Sequence, residues 1–166
     1  MRKDLKNIVV LATNGDRNAF GTLYEEYSVD MYRFALSICK NTHDAQDAVQ
    51  ETTLSVFKSI HTLKNPEKFK SYLFLSLSNT CKRKMTGNMH QSEFVDTGYT
   101  DSEIEFSMPV REALEKLDDT SREILMMSVV AGFKSREIGE MMKIPAATVR
   151  TKRKRALSKM REELDL

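Results

Sequence analysis

The chain has 166 residues, 40% of them apolar and 30% charged, with a formal net charge of +2. That balance belongs to a soluble globular protein and excludes a disordered one. Apolar runs fall well short of the roughly 18–20 residues of a bilayer span, so a membrane-embedded protein is excluded too.

Ten Met and eight Phe against six Gly and three Pro favour helices over turn-rich β architecture. The chain opens MRKDLKN, charged and without a sustained apolar stretch behind it, so a cytoplasmic location is expected. Cys39 and Cys81 are too few for a disulfide framework or a zinc site and are expected as isolated, half-buried reduced thiols. His43, His61 and His90 are expected to stand alone, without an i, i+4 partner or a second carboxylate. With no Gly-rich phosphate loop and no GxSxG, the residues offer nothing for enzymatic chemistry, a metal or a cofactor.

In chain order, a first helix is expected over roughly Asp4–Thr13, ending before Asn14-Gly15. Phe20, Leu23, Tyr24 and Tyr27 follow at helical spacing, and Met31, Phe34, Ala35 and Ile38 repeat the pattern after an expected break near Ser28–Asp30. Asn41 or Thr42 caps the next helix, with Asp44 and Asp47 in its first turns, where carboxylates suit the positive end of the dipole. Its buried stripe is Ala45, Ala48, Val49, Thr52, Val56 and Ile60. Asn65-Pro66-Glu67 opens another helix, which carries Phe69, Leu73, Phe74 and Leu77 to about Lys84.

The pattern then fails. Thr86–Ser107 has five acids (Glu93, Asp96, Asp101, Glu103, Glu105), two Gly and no Lys or Arg. It is expected as a flexible acidic linker, with a long lid loop as the alternative. Helical spacing resumes at Met108-Pro109 with Val110, Ala113, Leu114 and Leu117. Thr120-x-x-Glu123 has the form of a capping box, and Gly132 is a natural stop.

Ser135 is the expected cap of a short helix, Arg136–Met142, with Ile138, Met141 and Met142 inward. Lys143-Ile144-Pro145 makes a tight turn, and Ala146–Met160 forms a second helix with Val149, Ala156 and Met160 inward. Gly139 leaves room for the second helix to cross closely. From Lys134 to Arg161 there are ten basic and two acidic residues, 10 − 2 = +8. A helix, a short turn and a longer basic helix make a helix-turn-helix, whose second helix enters the major groove. Thr148 and Thr151 reach bases or phosphates there, and Arg150, Lys152 and Lys154 read guanine or neutralise phosphate. The blander alternative is a solvated basic helix. A left-handed Lys143, where such turns often carry Gly, costs about 1 kcal/mol.

These elements together resemble the bacterial RNA polymerase sigma factors of the extracytoplasmic-function (ECF) group. Phe20-Gly-Thr-Leu-Tyr-Glu-Glu-Tyr27 is followed by Asp44-Ala-Gln-Asp-Ala-Val-Gln-Glu51, similar to the family's DAeDavQetF signature. Phe69-Lys-Ser-Tyr-Leu73 with Asn79 resembles its FxsWL…N segment. Leu117-(x)4-Arg122-Glu-Ile resembles LPxxxRxv. Ser135-Arg-Glu-Ile-Gly-Glu140 and Ile144-Pro-Ala-Ala-Thr-Val-Arg-Thr-Lys152, ending in Arg155-Ala156, resemble its EIAexLgip…TVksR…RA core.

The resemblance implies an all-α fold of two small helical domains joined by a flexible acidic linker, the second a four-helix domain with the helix-turn-helix. Residues 1–85 then form a region 2-like domain, 86–107 the linker and 108–166 a region 4-like domain. Core RNA polymerase binding falls to Asp44, Asp47, Gln50 and Glu51. The promoter −10 element falls to Lys70, Tyr72, Asn79, Lys82, Arg83 and Lys84. The −35 element falls to Ser135, Arg136, Thr148, Arg150, Thr151, Lys152, Lys154 and Arg155. The implied partners are core polymerase, promoter DNA and an anti-sigma factor, often membrane-anchored; the chain itself is a non-enzymatic initiation factor.

Several positions depart from the family pattern. Tyr72 stands where Trp is usual, and Lys82 and Arg83 where an apolar and an acidic residue are more common. Arg153 replaces a usual Leu, which predicts a looser or rotated recognition helix. On the residues alone two other readings stay open: a dimeric helix-turn-helix repressor or activator on palindromic sites, and an adaptor without DNA contact.

Overall fold

Local signals set most helix ends in the computed structural model, which describes residues 3–87 and 105–166. The described residues form eight α-helices: α1 (Lys3–Thr13), α2 (Arg17–Cys39), α3 (Thr42–Ser59), α4 (Phe69–Gly87), α5 (Met108–Glu115), α6 (Asp119–Val129), α7 (Ser135–Met142) and α8 (Ala146–Glu163). Asp16 caps α2 by accepting from the Ala19 N–H at 3.0 Å, and Asn41 caps α3 by accepting from that of Asp44 at 2.8 Å. Asn65 accepts from the Glu67 N–H, and Pro66–Lys68 forms a 3-10 turn that runs into α4.

Three boundaries differ from the sequence expectation. α2 passes through Ser28–Asp30 unbroken, because no Gly or Pro lies at those positions and Tyr27, Met31, Phe34 and Ala35 continue one buried stripe. α6 is capped by Asp118, which accepts from the Ser121 N–H at 2.8 Å and from its hydroxyl at 2.9 Å. Thr120 therefore lies inside the first turn, and Glu123 points elsewhere. Ser135 is the first residue of α7 rather than its cap; Glu137 accepts from the Lys134 N–H at 3.0 Å. The expected linker falls largely on 88–104, outside the described residues; Thr86 and Gly87 end α4.

The chain arranges as two helical units, α1–α4 and α5–α8. In the first, α2 packs against α1, α3 and α4. In the second, α8 lies across α5, α6 and α7. Arg122 closes the α5–α6 turn from a buried site, donating to the Leu114 carbonyl at 2.9 Å and the Leu117 carbonyl at 2.7 Å. Those carbonyls lie at the C-terminal end of α5, where a cation suits the dipole.

The units also pack on each other, α2 and α4 against α6 and α7, so that one apolar core runs through both. Its hinge point is the Phe74 ring, fully buried and edge-on to Phe34 and Phe133, the latter 5.7 Å away between centroids. Cys39 and Cys81 are completely buried rather than half-buried and lie against each other across α2 and α4. The hydrogen bond with Cys39 and burial push the Cys81 thiol well above its usual range, which keeps it protonated and unreactive.

Candidate nucleic-acid interface

The α7–turn–α8 segment has the geometry of a DNA-reading motif. Lys143 ends α7 in the left-handed region (φ 59°, ψ 43°), and the Ile144 N–H returns to the Gly139 carbonyl at 3.0 Å. That closure brings backbone onto Gly139: a β-carbon there would sit 2.7 Å from the Ile144 carbonyl oxygen and 3.3 Å from the Ala146 nitrogen. Ile138, Val149 and Ala156 are buried beneath, fixing which face of α8 points outward.

On that outward face Arg150, Thr151, Lys154 and Arg155 are exposed, with Thr148 and Lys152 half-buried. The Thr151 hydroxyl donates to the Ala147 carbonyl one turn back. Lys152 lies near Asp118, whose carboxyl is held below its usual range chiefly by the Ser121 N–H and hydroxyl. Ser135, half-buried, and Arg136, exposed and paired with Glu140, sit at the start of α7. Arg153 turns away from this group, its guanidinium donating to the Ser128 hydroxyl on α6 at 2.7 Å. The polar contact takes the place of apolar packing, and Val149 and Ala156 stay sealed on either side.

On α4 the expected −10 residues do not form one group. Lys70, Phe74, Ser78 and Lys82, spaced by four, make one stripe toward the second unit. The Lys70 ammonium lies 4.8 Å from the Phe133 ring centroid, and Lys82 pairs with Glu123 at 2.9 Å. Tyr72, Asn79 and Arg83 lie on a second stripe. Asn79 is exposed, the Tyr72 hydroxyl meets that of Ser59, and Arg83 reaches Glu51 on α3. Lys84, mostly covered, also pairs with Glu51, at 3.2 Å. In the polar cleft beside Lys70, burial raises the Asp30 carboxyl above its usual range against the opposing pull of Arg33 and Lys70.

On α3, Gln50 and Glu51 are exposed and Asp47 half-buried, but Asp44 is buried and its carboxylate accepts from the Asn41 amide at 2.8 Å. His43 does not stand alone: its imidazole lies 3.2 Å from Asp47 at i, i+4, with Asp44 adjacent. Sequence reasoning missed two features. Leu54 and Phe57 are exposed beside Gln50 and Glu51, with Phe57 edge-on to Phe20 at 5.0 Å; their positions off the buried stripe are the signal. Glu123 was hidden by its resemblance to a capping-box residue.

Comparison with known proteins agrees with this two-unit arrangement. Sigma-70 region 2 matches residues 23–90, and Sigma-70, region 4 matches residues 107–160. The RNA polymerase sigma factor SigV of Bacillus subtilis is 32% identical over 150 residues, covering 86% of this chain and 89% of SigV. This chain belongs to the RNA polymerase sigma factors of the ECF group. The ECF sigma factor SigW of B. subtilis is 23% identical, covering 99% of this chain and 98% of SigW. Among solved structures, CnrH in complex with the cytosolic domain of CnrY superposes with a TM-score of 0.75 at 22% identity, over 96% of each chain. The sigma factor RpoE in complex with the anti-sigma factor NepR from Bartonella quintana gives 0.71 at 18% identity, over 87% of this chain and 98% of RpoE. As a sigma factor the chain binds core RNA polymerase and directs promoter recognition and transcription initiation. No helix among the described residues is long and apolar enough to cross a membrane.

Proposed function

We propose that the promoter is read by two units of this sigma factor, residues 1–85 at the −10 element and 108–166 at the −35 element, joined by 86–107. The observation that carries the second assignment is the α8 face, where Arg150, Lys154 and Arg155 stand exposed on a helix fixed by the Gly139 crossing. Ser135, Arg136, Thr148, Thr151 and Lys152 complete that contact at its margins. At the −10 element, opened DNA presents unstacked bases, and the Tyr72–Asn79 stripe supplies an aromatic ring and an amide beside cations. Asp47, Gln50 and Glu51, with exposed Leu54 and Phe57, make the polymerase-docking face of α3; Asp44 supports it from inside by holding Asn41.

The chain works in the cytoplasm, performs no reaction of its own and leaves nucleotide chemistry to the polymerase. It is held in check by an anti-sigma factor, membrane-anchored or free. Tethering two modest DNA contacts raises the effective concentration of the second once the first is made.

Run-off transcription and promoter retention with core polymerase test this. Both require the chain and core enzyme together. Arg150→Ala with Lys154→Ala weakens retention and flattens the slope of log K against log salt by about 2, near 0.9 per lost phosphate contact. Tight, specific binding to a palindromic site by a dimer of the free chain overturns the reading in favour of an ordinary helix-turn-helix regulator.

A further inference from the structure

We infer that Ser59, the last residue of α3, is a positioning residue for promoter opening. Its hydroxyl holds the phenol of Tyr72, so that the ring rather than the hydroxyl meets an unstacked base. That role rests on α4 being the −10 helix; the Ser59–Tyr72 contact does not.

Hydrogen counting fixes the direction of the contact. Ser59 has a single hydroxyl hydrogen, and it goes to the Ser55 carbonyl one turn back, at 2.8 Å. The Tyr72 hydroxyl meets the Ser59 oxygen and is therefore the donor of the bond between them. The two hydroxyls form a relay from Tyr72 through Ser59 to the Ser55 carbonyl. Tyr72 has no hydrogen left to donate to a base.

The anchor is itself held. Past Ser59 the chain enters a 3-10 turn, Ile60–Thr62, with Ile60 buried beneath it. The Thr62 hydroxyl donates to the Ser59 carbonyl at 2.7 Å, and the Leu63 N–H to the Ile60 carbonyl at 3.0 Å. Tyr72 also packs, half-buried, on the core. A phenol tied to a fixed hydroxyl gives up its swing before DNA arrives, so less freedom is lost on binding.

Helical spacing shows what shares the ring's side of α4. Leu75 and Asn79 follow at three and seven positions, and both are exposed, Leu75 at 37%. A ring, an aliphatic side chain and an amide suit an unstacked base: the first two offer a surface for its face, and the amide pairs with its edge. With the Tyr72 hydrogen committed to Ser59, Tyr72 contributes stacking and base identity is left to Asn79.

Promoter opening by core polymerase carrying each variant tests this, read as the rate at which −10 thymines become reactive to permanganate. Retention of the same promoter on ice, before opening, is the control. Ser59→Ala slows opening about fivefold, the size of one neutral hydrogen bond, and shifts retention on ice less than about twofold. Tyr72→Phe removes the same bond from the other side and keeps the ring; it slows opening equally, and the double variant is no slower than either single. Ser59→Thr keeps the hydroxyl and opens at the unmodified rate. Tyr72→Ala loses the ring as well and slows opening about tenfold or more. An unmodified rate for Ser59→Ala beside a slow Tyr72→Ala overturns the positioning role and leaves the −10 reading in place. So does additivity of Ser59→Ala and Tyr72→Phe, since the two hydroxyls then act separately. Normal opening by Tyr72→Ala overturns the −10 assignment of Tyr72, and the role of Ser59 with it.

Discussion

α4 and α8 are both basic helices, and they hold their cations in opposite ways. On α4, Lys82, Arg83 and Lys84 each meet a carboxylate of another helix, and Lys70 lies over an aromatic ring. On α8, Arg150, Lys154 and Arg155 have no ion pair among the described residues. Like charges held together without counter-charge cost folding energy and are kept where they gain a partner on binding. Under the proposed assignments the α8 face is ready for phosphate as it stands, whereas α4 would have to exchange protein partners for DNA. The difference follows from how each helix is placed: α8 packs one face on α5, α6 and α7 and leaves the other bare, whereas α4 is flanked by α3 on one side and the second unit on the other.

The largest effect expected from breaking this comparison comes at Phe133. Phe133→Ala empties the space between Phe74 and Lys70, and chemical denaturation should register a loss of about 3 kcal/mol. A loss below ~1 kcal/mol would mean that the second unit leans on α4 only incidentally. Gly139→Ala comes next. Its β-carbon meets the Ile144 carbonyl oxygen, a backbone atom with no rotamer to change, so about 2 kcal/mol is lost and α8 is displaced. DNA retention should then fall more than the drop in thermal midpoint alone explains, because the α8 face is misaimed. Unchanged stability would show that the crossing is looser than its geometry. The smallest effect sharpens the same point: Lys143→Gly relieves a left-handed residue (φ 59°) and should raise stability by about 1 kcal/mol in thermal denaturation. A decrease would mean that the Lys143 side chain contributes more than its backbone costs.

How much was legible in the sequence differs between these two helices for the same reason. The α7–α8 motif is short-range: Gly139, the left-handed Lys143 and the Val149–Ala156 stripe all act within about twenty residues, and each was evident from spacing. Arg153 was evident as a departure, but its turn toward Ser128 on α6 was not, since that partner lies 25 positions away. On α4 the basic and aromatic residues could be named, yet their division into two stripes depends on which unit packs where. The capping-box form of Thr120-x-x-Glu123 misled because a local motif and a distant ion pair need the same residue type. Asp118 took the cap, and Glu123 was left for Lys82.

The sequence by itself determined most of the helices, the caps at Asn41 and Asn65, the helix-turn-helix and the separation of basic from acidic segments, because these rest on period, capping chemistry and charge along a few turns of chain. Only the tertiary structure decided that Asp44 is turned inward, that Cys39 meets Cys81, and that Glu123 bridges the two units. Each of those depends on a partner brought near by packing. A buried carboxylate or thiol takes its role from the groups that surround it, and no spacing along the chain records them.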